Sequence, residues 1–366
     1  MDRDTIAHAR QRTVAPVSRR AMTVLAGQGL AALISLEATR ESGAKKQKKA
    51  RKVTLCLDGQ TLTVKKSKQK AFLARGASRG ACPPAATCLP PTDDLQAAIA
   101  AAGPGASLQL CAGTWPLGAT ITIATSLTLA GAGAGQTILD GQDALRVLRI
   151  TAGATVTLRD LTVTRGKPAG VLPGGGISNA GDLTLRNVTV TACAAEAGGG
   201  IYTAQGSALS LAGGSLIQDN TAVNTGGGIH SNADTVRLEA CQVTGNDTDG
   251  LGGGLYSTVS TVTLRAGSSV ARNTAFRGGG IEISEGSVIL EADSSVSDNT
   301  SASYGGGIFS LDGAVTIQAN SHVTGNTATT GGGGIWTSFG TVTQEAGSEV
   351  AGNSPNQCET LAGPCT

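Results

Sequence analysis

One repeat position carries most of the residues able to do chemistry. Directly after a Gly-Gly-Gly-Ile/Leu string come Ser178, Tyr202, His230, Tyr256, Glu282, Phe309 and Trp336. Four of the nine aromatic residues fall there, more than chance would place at a single position. Aromatic faces stack on sugar rings, and His and Glu hydrogen-bond hydroxyls. Tyr202, His230, Tyr256, Glu282, Phe309 and Trp336 are therefore candidate contacts for a polysaccharide. Three of them, His230, Tyr256 and Glu282, are also the types that acid/base catalysis needs. A third reading is structural: a ladder of side chains that stiffens one sheet.

These positions share a face only if the chain winds regularly. The glycine string ends at Ile177, Ile201, Ile229, Leu255, Ile281, Ile308 and Ile335, in steps of 24, 28, 26, 26, 27 and 27 residues. A second string, Val/Ile-x-x-Asn, ends at Asn220, Asn246, Asn273, Asn299, Asn326 and Asn353. Between them recurs a short alternating strand, as in Leu183-Thr184-Leu185, Val236-Arg237-Leu238 and Val288-Ile289-Leu290. Three strand signals per period fit one triangular coil of a parallel β-helix. Each strand then stacks on its counterpart about 4.8 Å away, so His230 and Glu282, two coils apart, would lie about 9.6 Å apart along the axis. The asparagines are assigned to architecture: a turn that tolerates φ > 0, and a ladder of stacked amides. Cys193 stands where that ladder would extend one coil earlier. An outward row of Arg186, Ala212, Glu239, Arg265, Glu291 and Gln318 alternates charge along the rod.

Upstream, Thr92 to Pro104 reads as a short helix with Thr92 as N-cap and Gly103-Pro104 as its stop. Leu95, Ala98, Ile99 and Ala102 form its apolar face, suited to covering the open end of a solenoid. Further coils run from Leu108 onward without the tripled glycine, for about ten coils in all at this period.

Of 366 residues only 2% are aromatic, while 53 are glycine, so the core must be built from Val, Ile, Leu and Ala. Residues 1–80 hold 18 Lys/Arg against 5 Asp/Glu, and residues 81–366 hold 10 against 21. The acidic body repels phosphates, so no nucleic-acid partner is expected. Ser18-Arg19-Arg20-Ala21-Met22 precedes an apolar run ending at Leu36, which reads as a twin-arginine export signal over residues 1–38. No other stretch is long enough for a transmembrane helix. Residues 39–52 form a basic linker, 53–90 a small cysteine module, 91–357 the β-helix and 358–366 a terminal disulfide loop. Eight cysteines suit an oxidising compartment. Cys56–Cys82, Cys88–Cys111 and Cys358–Cys365 are the expected bridges, with Cys193 and Cys241 as buried thiols. No C-x-x-C occurs and there are three histidines, so neither a metal site nor a cofactor is expected.

The Gly-Gly-Gly-Ile and Val/Ile-x-x-Asn strings resemble those of polymorphic outer-membrane proteins, within the pectin-lyase-like right-handed β-helix superfamily. The stretch from Asp94 to Trp115 is similar to the usual start of that fold. The resemblance covers roughly residues 92–357. It implies a right-handed β-helix and a surface or adhesive role. That family often carries Phe where this chain has Ile217, Val243, Val270, Val296, Val323 and Val350, and ends in a membrane barrel that is not seen here. Residues 53–82 resemble a small two-cysteine module of secreted bacterial proteins. Many relatives of the fold cleave pectic polysaccharides. Asn246-Asp247-Thr248-Asp249-Gly250 is superficially similar to one of their motifs, but no Asp-Asp pair or His-Gly follows.

The expectation is an exported, non-catalytic β-helix that presents a repeat face to a polysaccharide or another cell-envelope polymer. The alternatives are a polysaccharide lyase or hydrolase using His230, Tyr256 and Glu282, and a structural surface-layer component.

Overall fold

The structure is a computed structural model that describes residues 52–57, 60–73, 78–79, 88–360 and 363–364. The expected signal segment and, except for Lys52, the basic linker lie outside these residues, as does Cys82 with its expected bridge to Cys56. The chain divides into two compact units between Cys82 and Pro83.

In the smaller unit, Lys52–Leu57 and Gln60–Lys65 pair antiparallel, and Ser78–Arg79 adds a third strand. Leu55 is its buried centre, packed against Val53, Leu62, Val64, Phe72 and Leu73. Residues 88–90 are tied to the other unit. Cys88 is bonded to Cys111, and Leu89 bridges Leu110 in parallel. The cysteine module therefore stops short of residue 90.

The larger unit is a parallel β-solenoid with three long faces and a short fourth one, six strands running from Ala194–Ala197 to Thr327–Ala328, so its middle coils carry four strands where the sequence predicts three. The first runs from Ala106–Gln109 to Val342–Gln344, and the second from Gly113–Pro116 to Glu349–Ala351. The third runs from Ile121–Ile123 to Cys358–Thr360. Ten strands stack in parallel on the third face, which makes about nine full turns. Thr155–Thr164 and Asp182–Thr191 each serve two faces, turning the corner at Asp160 and Asn187 with φ of 57° and 52°. Cys358–Thr360 is the last rung of the third face rather than part of a separate terminal loop, and Gly363–Pro364 returns against it antiparallel. Cys358 is disulfide-bonded, and Cys365 lies outside the described residues.

The alternation of the sequence explains the core. Val236, Val262, Val288 and Val315 are register partners on successive coils, and each is fully buried. Such aliphatic columns merge into one cluster from Leu95 to Ile335. Burying each Val, Leu or Ile contributes about 1.5–3 kcal/mol. The tripled glycines serve close approach. Gly226 has φ of +63°, and a Cβ on Gly228 would stand 2.6 Å from the Gly254 carbonyl oxygen. Only glycine lets neighbouring coils meet there.

The capping helix spans Leu95–Ala101, and its N-cap is Asp94 rather than Thr92. The Asp94 carboxylate accepts from the Ala97 N–H at 3.0 Å. A turn in which the Asp93 N–H donates to the Pro90 carbonyl draws residues 92–93 away from the helix. Leu95 and Ile99 are buried over the first coil. Gln96 clamps the helix to the third face: Nε2 donates to the Thr122 carbonyl at 3.0 Å, and Oε1 accepts from the Thr122 N–H at 2.7 Å.

The asparagine ladder lies inside the solenoid wall. The Asn220 N–H and Nδ2 both donate to Asn246 Oδ1, at 3.1 and 2.9 Å, and Nδ2 also donates to the Val190 carbonyl. The pattern passes through Asn273, Asn299 and Asn326 to Asn353. Cys193 begins it, its N–H donating to Asn220 Oδ1, and Gln357 Oε1 ends it. The positive φ falls not on the asparagines but on the residue before each: Asp219, Gly245, Arg272, Asp298, Gly325 and Gly352. The left-handed residue turns the chain, and the asparagine that follows points its amide inward.

A candidate carbohydrate-binding row on the third face

The residues after the tripled glycines lie in one row. Thr122, Arg149, Ser178, Tyr202, His230, Tyr256, Glu282, Phe309, Trp336 and Glu359 are register partners, one per coil. His230 stacks between Tyr202 and Tyr256, with ring centroids 5.0 Å apart on both sides. Phe309 and Trp336 stack at 4.7 Å, with ring planes 12° apart.

The row is not uniformly open. Tyr202, His230 and Tyr256 are half-buried, whereas Glu282, Phe309 and Trp336 are 1%, 2% and 8% exposed. The cause is a second row, formed by the residue just before each tripled glycine. Arg277 holds Glu282, its Nη2 donating to Oε1 at 2.6 Å, and its guanidinium lies 4.1 Å over the Phe309 ring. Tyr304 covers Trp336 at 5.0 Å. Nearer the N-terminus the covering positions hold Ala197, Thr225 and Leu251, which are shorter or lack a ring. The expected six-residue platform is therefore a three-ring row followed by a closed stretch. Sequence inspection missed the covering residues, although their spacing was visible: Thr225 and His230, like Arg277 and Glu282, stand five apart.

His230 is fully engaged. Asn232 Oδ1 accepts at 3.3 Å from Nε2, so Nε2 carries the proton. Nδ1 then accepts from the Thr225 hydroxyl at 2.7 Å. Asn232 also accepts from Thr258 and donates to the Tyr202 hydroxyl, which joins three coils in one network. Burial pushes the His230 pKa down to about 4, partly offset by Asn232. Burial pushes Glu282 up to about 7 against the opposing pull of Arg277. As a catalytic trio these residues are poorly placed: His230 is neutral with both nitrogens used, and the Glu282 carboxylate is enclosed by Arg277. Among the described residues, no group of three His, Cys, Asp or Glu is disposed to hold a metal ion.

On the charged row, Arg265 Nε lies 3.6 Å from Glu291 Oε2 with both side chains more than a third exposed, a weak contact. Cys193 and Cys241 are free and buried, and burial pushes the Cys193 thiol up to about 12.

A parallel solenoid closed by one helix and bearing a stacked row on one face defines a β-helix protein. Residues 169–354, half of the chain, match the family described as the right handed beta helix region, and the protein belongs to that family. Membership of the pectin-lyase-like superfamily is consistent with this match. No curated protein and no solved structure matches the chain. No helix among the described residues is long and apolar enough to cross a membrane.

Proposed function

We propose that this chain is an exported, non-catalytic β-helix that holds a polysaccharide, or another glycan-like polymer of the cell envelope, against the Tyr202–His230–Tyr256 row. The observation that carries the reading is the stack of three half-buried rings at one-coil spacing, held rigid by Asn232, Thr225 and Ser284. Rings fixed against one another in this way present their outer edges and the Tyr202 and Tyr256 hydroxyls to a polymer without losing side-chain freedom. The Arg19-Arg20 signal and the Cys88–Cys111 bridge support an oxidising, extracytoplasmic setting. Engagement of both His230 nitrogens supports binding without turnover.

The test is a glycan array probed with the full chain, followed by incubation of each hit and detection of new reducing ends or unsaturated products. Binding without products, weakened about tenfold or more in Tyr256→Ala, is expected. Products that vanish in Glu282→Gln would replace this reading with a lyase or hydrolase. Binding to no glycan would leave the surface-layer role.

A further inference from the structure

The charged row on the first face has a symmetry of its own. The row from Arg186 to Gln318 extends to Arg159 on the coil before and to Glu345 on the coil after, one residue on each of eight coils. Arg186, Glu239 and Glu345 are exposed, and the side chains of Arg159 and Arg265 keep 43% and 36% of their surface. The other outward row of this face stands two residues earlier on each strand. It is mostly Thr and Ser, as at Thr157, Thr184, Ser210 and Thr263, and Arg237 is its one charge. Such short side chains leave the face level. Along one edge, Val259, Leu311 and Phe339 are exposed just before the strands Thr261–Arg265, Ala314–Ile317 and Val342–Gln344. Phe339 is 73% exposed. Large apolar side chains grouped along one edge of a level face mark an interaction surface.

We infer that this face is the interface between two copies of the chain, packed first face to first face with their rod axes antiparallel. A two-fold axis running along the strands sets each row against itself in reverse order. With Arg159 opposite the partner's Glu345, the remaining positions follow: Arg186 meets Gln318, Ala212 meets Glu291, and Glu239 meets Arg265. Symmetry makes each contact twice, so opposite charges meet at Arg159–Glu345 and at Glu239–Arg265, and no like charges in the row face each other. A slip of one coil in one direction sets Glu239 against its own copy. A slip in the other sets Arg265 against its own copy and Glu239 against Glu291. At full overlap the row is thus the complement of its own reverse, which a second copy supplies. Complementary charge of this kind fixes register and orientation more than affinity. Affinity comes from the apolar edge, where Phe339 falls opposite the exposed small corner of Ala152 and Gly153. Eight coils at about 4.8 Å, with strands of about five residues at about 3.3 Å, give about 600 Å² on each partner. The about 1,200 Å² buried in all reaches the range of stable specific interfaces. Nothing in this inference depends on the Tyr202–His230–Tyr256 row.

Sedimentation velocity of the full-length protein tests this. Between about 1 and 100 μM the expected species is a dimer of twice the 36.2 kDa of one chain. Glu345→Arg sets like charges against each other at Arg159 and should weaken dimerisation about tenfold or more, as should Arg159→Glu. The two reversals combined should return the dimer to within about threefold of the parent. Within one chain Arg159 and Glu345 stand seven coils apart, about 34 Å, several Debye lengths at physiological salt, so a rescue of one by the other passes only between chains. A protein that stays monomeric up to about 100 μM would overturn the inference. So would a dimer that neither single reversal weakens, or one that the double reversal fails to restore. Tyr256→Ala should leave the dimer unchanged, so failure here and failure of the polymer-binding reading are separate results.

Discussion

Arg277 joins two neighbouring coils: its guanidinium donates to the buried Glu282 carboxylate and also lies 4.1 Å over the ring of Phe309. One cation thus pairs a buried acid and roofs an aromatic ring. This contact ends the open part of the row and isolates Glu282 from solvent.

Removing the cation should expose the cost of that buried acid. Arg277→Ala is expected to lose about 3 kcal/mol of stability at pH 8, because the carboxylate is left buried and unpaired. The loss should shrink near pH 5, where Glu282 takes up a proton instead. The double variant Arg277→Leu, Glu282→Leu should recover most of the stability. Urea denaturation at both pH values checks this, and an equal loss at both would contradict it.

Glu282 and His230 should oppose each other in the pH dependence of stability. The folded state holds Glu282 at about 7 rather than its ordinary 4.5, so it binds more protons than the unfolded state between those values. That contribution is present at low pH and is lost as pH rises through about 7. His230 is held at about 4 rather than 6.5, so its contribution is present above 6.5 and lost as pH falls toward 4. Between 4.5 and 6.5 the two slopes cancel. Glu282→Gln should therefore make stability rise with pH across this window relative to the parent, by at most about 1.4 kcal/mol per pH unit. His230→Gln should make it fall. Denaturation midpoints across pH 4–7 measure both, and parallel curves for parent and variants would refute the pairing.

The asparagine ladder should be least tolerant at its centre. Asn273→Ala takes away the acceptor of the Asn246 N–H and the donor to the Val243 carbonyl, while Asn246 Nδ2 loses Asn273 but keeps the Ile217 and Thr244 carbonyls. A loss of about 3 kcal/mol is expected from these two buried groups. Asn353→Ala, one coil from the end and 6% exposed, should cost about half as much, because water replaces the lost partner. Chemical denaturation of the two variants gives the comparison, and equal losses would show that position along the rod is irrelevant.

The bridge between Cys88 and Cys111 spans 23 residues and contains the capping helix within its loop. Cys88→Ser with Cys111→Ser should destabilise the protein by about 3 kcal/mol through the freed loop. Hydrogen exchange should accelerate first in Leu95–Ala101 and in the first coil, with the coils beyond Ile201 unaffected. Uniform acceleration along the rod would contradict this local role.

The tripled glycines, the Val/Ile-x-x-Asn strings and the alternating strands between them were enough to read a parallel solenoid, the cap and the common row of Tyr202 through Trp336. Periodicity is a local property repeated, so the chain itself displays which residues share a face. Register between coils decided the rest. Arg277 covers Phe309 on the next coil, Asn232 ties Tyr202 to Thr258 across three coils, and the left-handed turn falls one residue before each asparagine. Such contacts lie about one period apart in the chain, and side-chain reach across a strand spacing sets them, which residue order does not display. The row was therefore legible, while its division into an open stack and a closed one came only from packing in three dimensions.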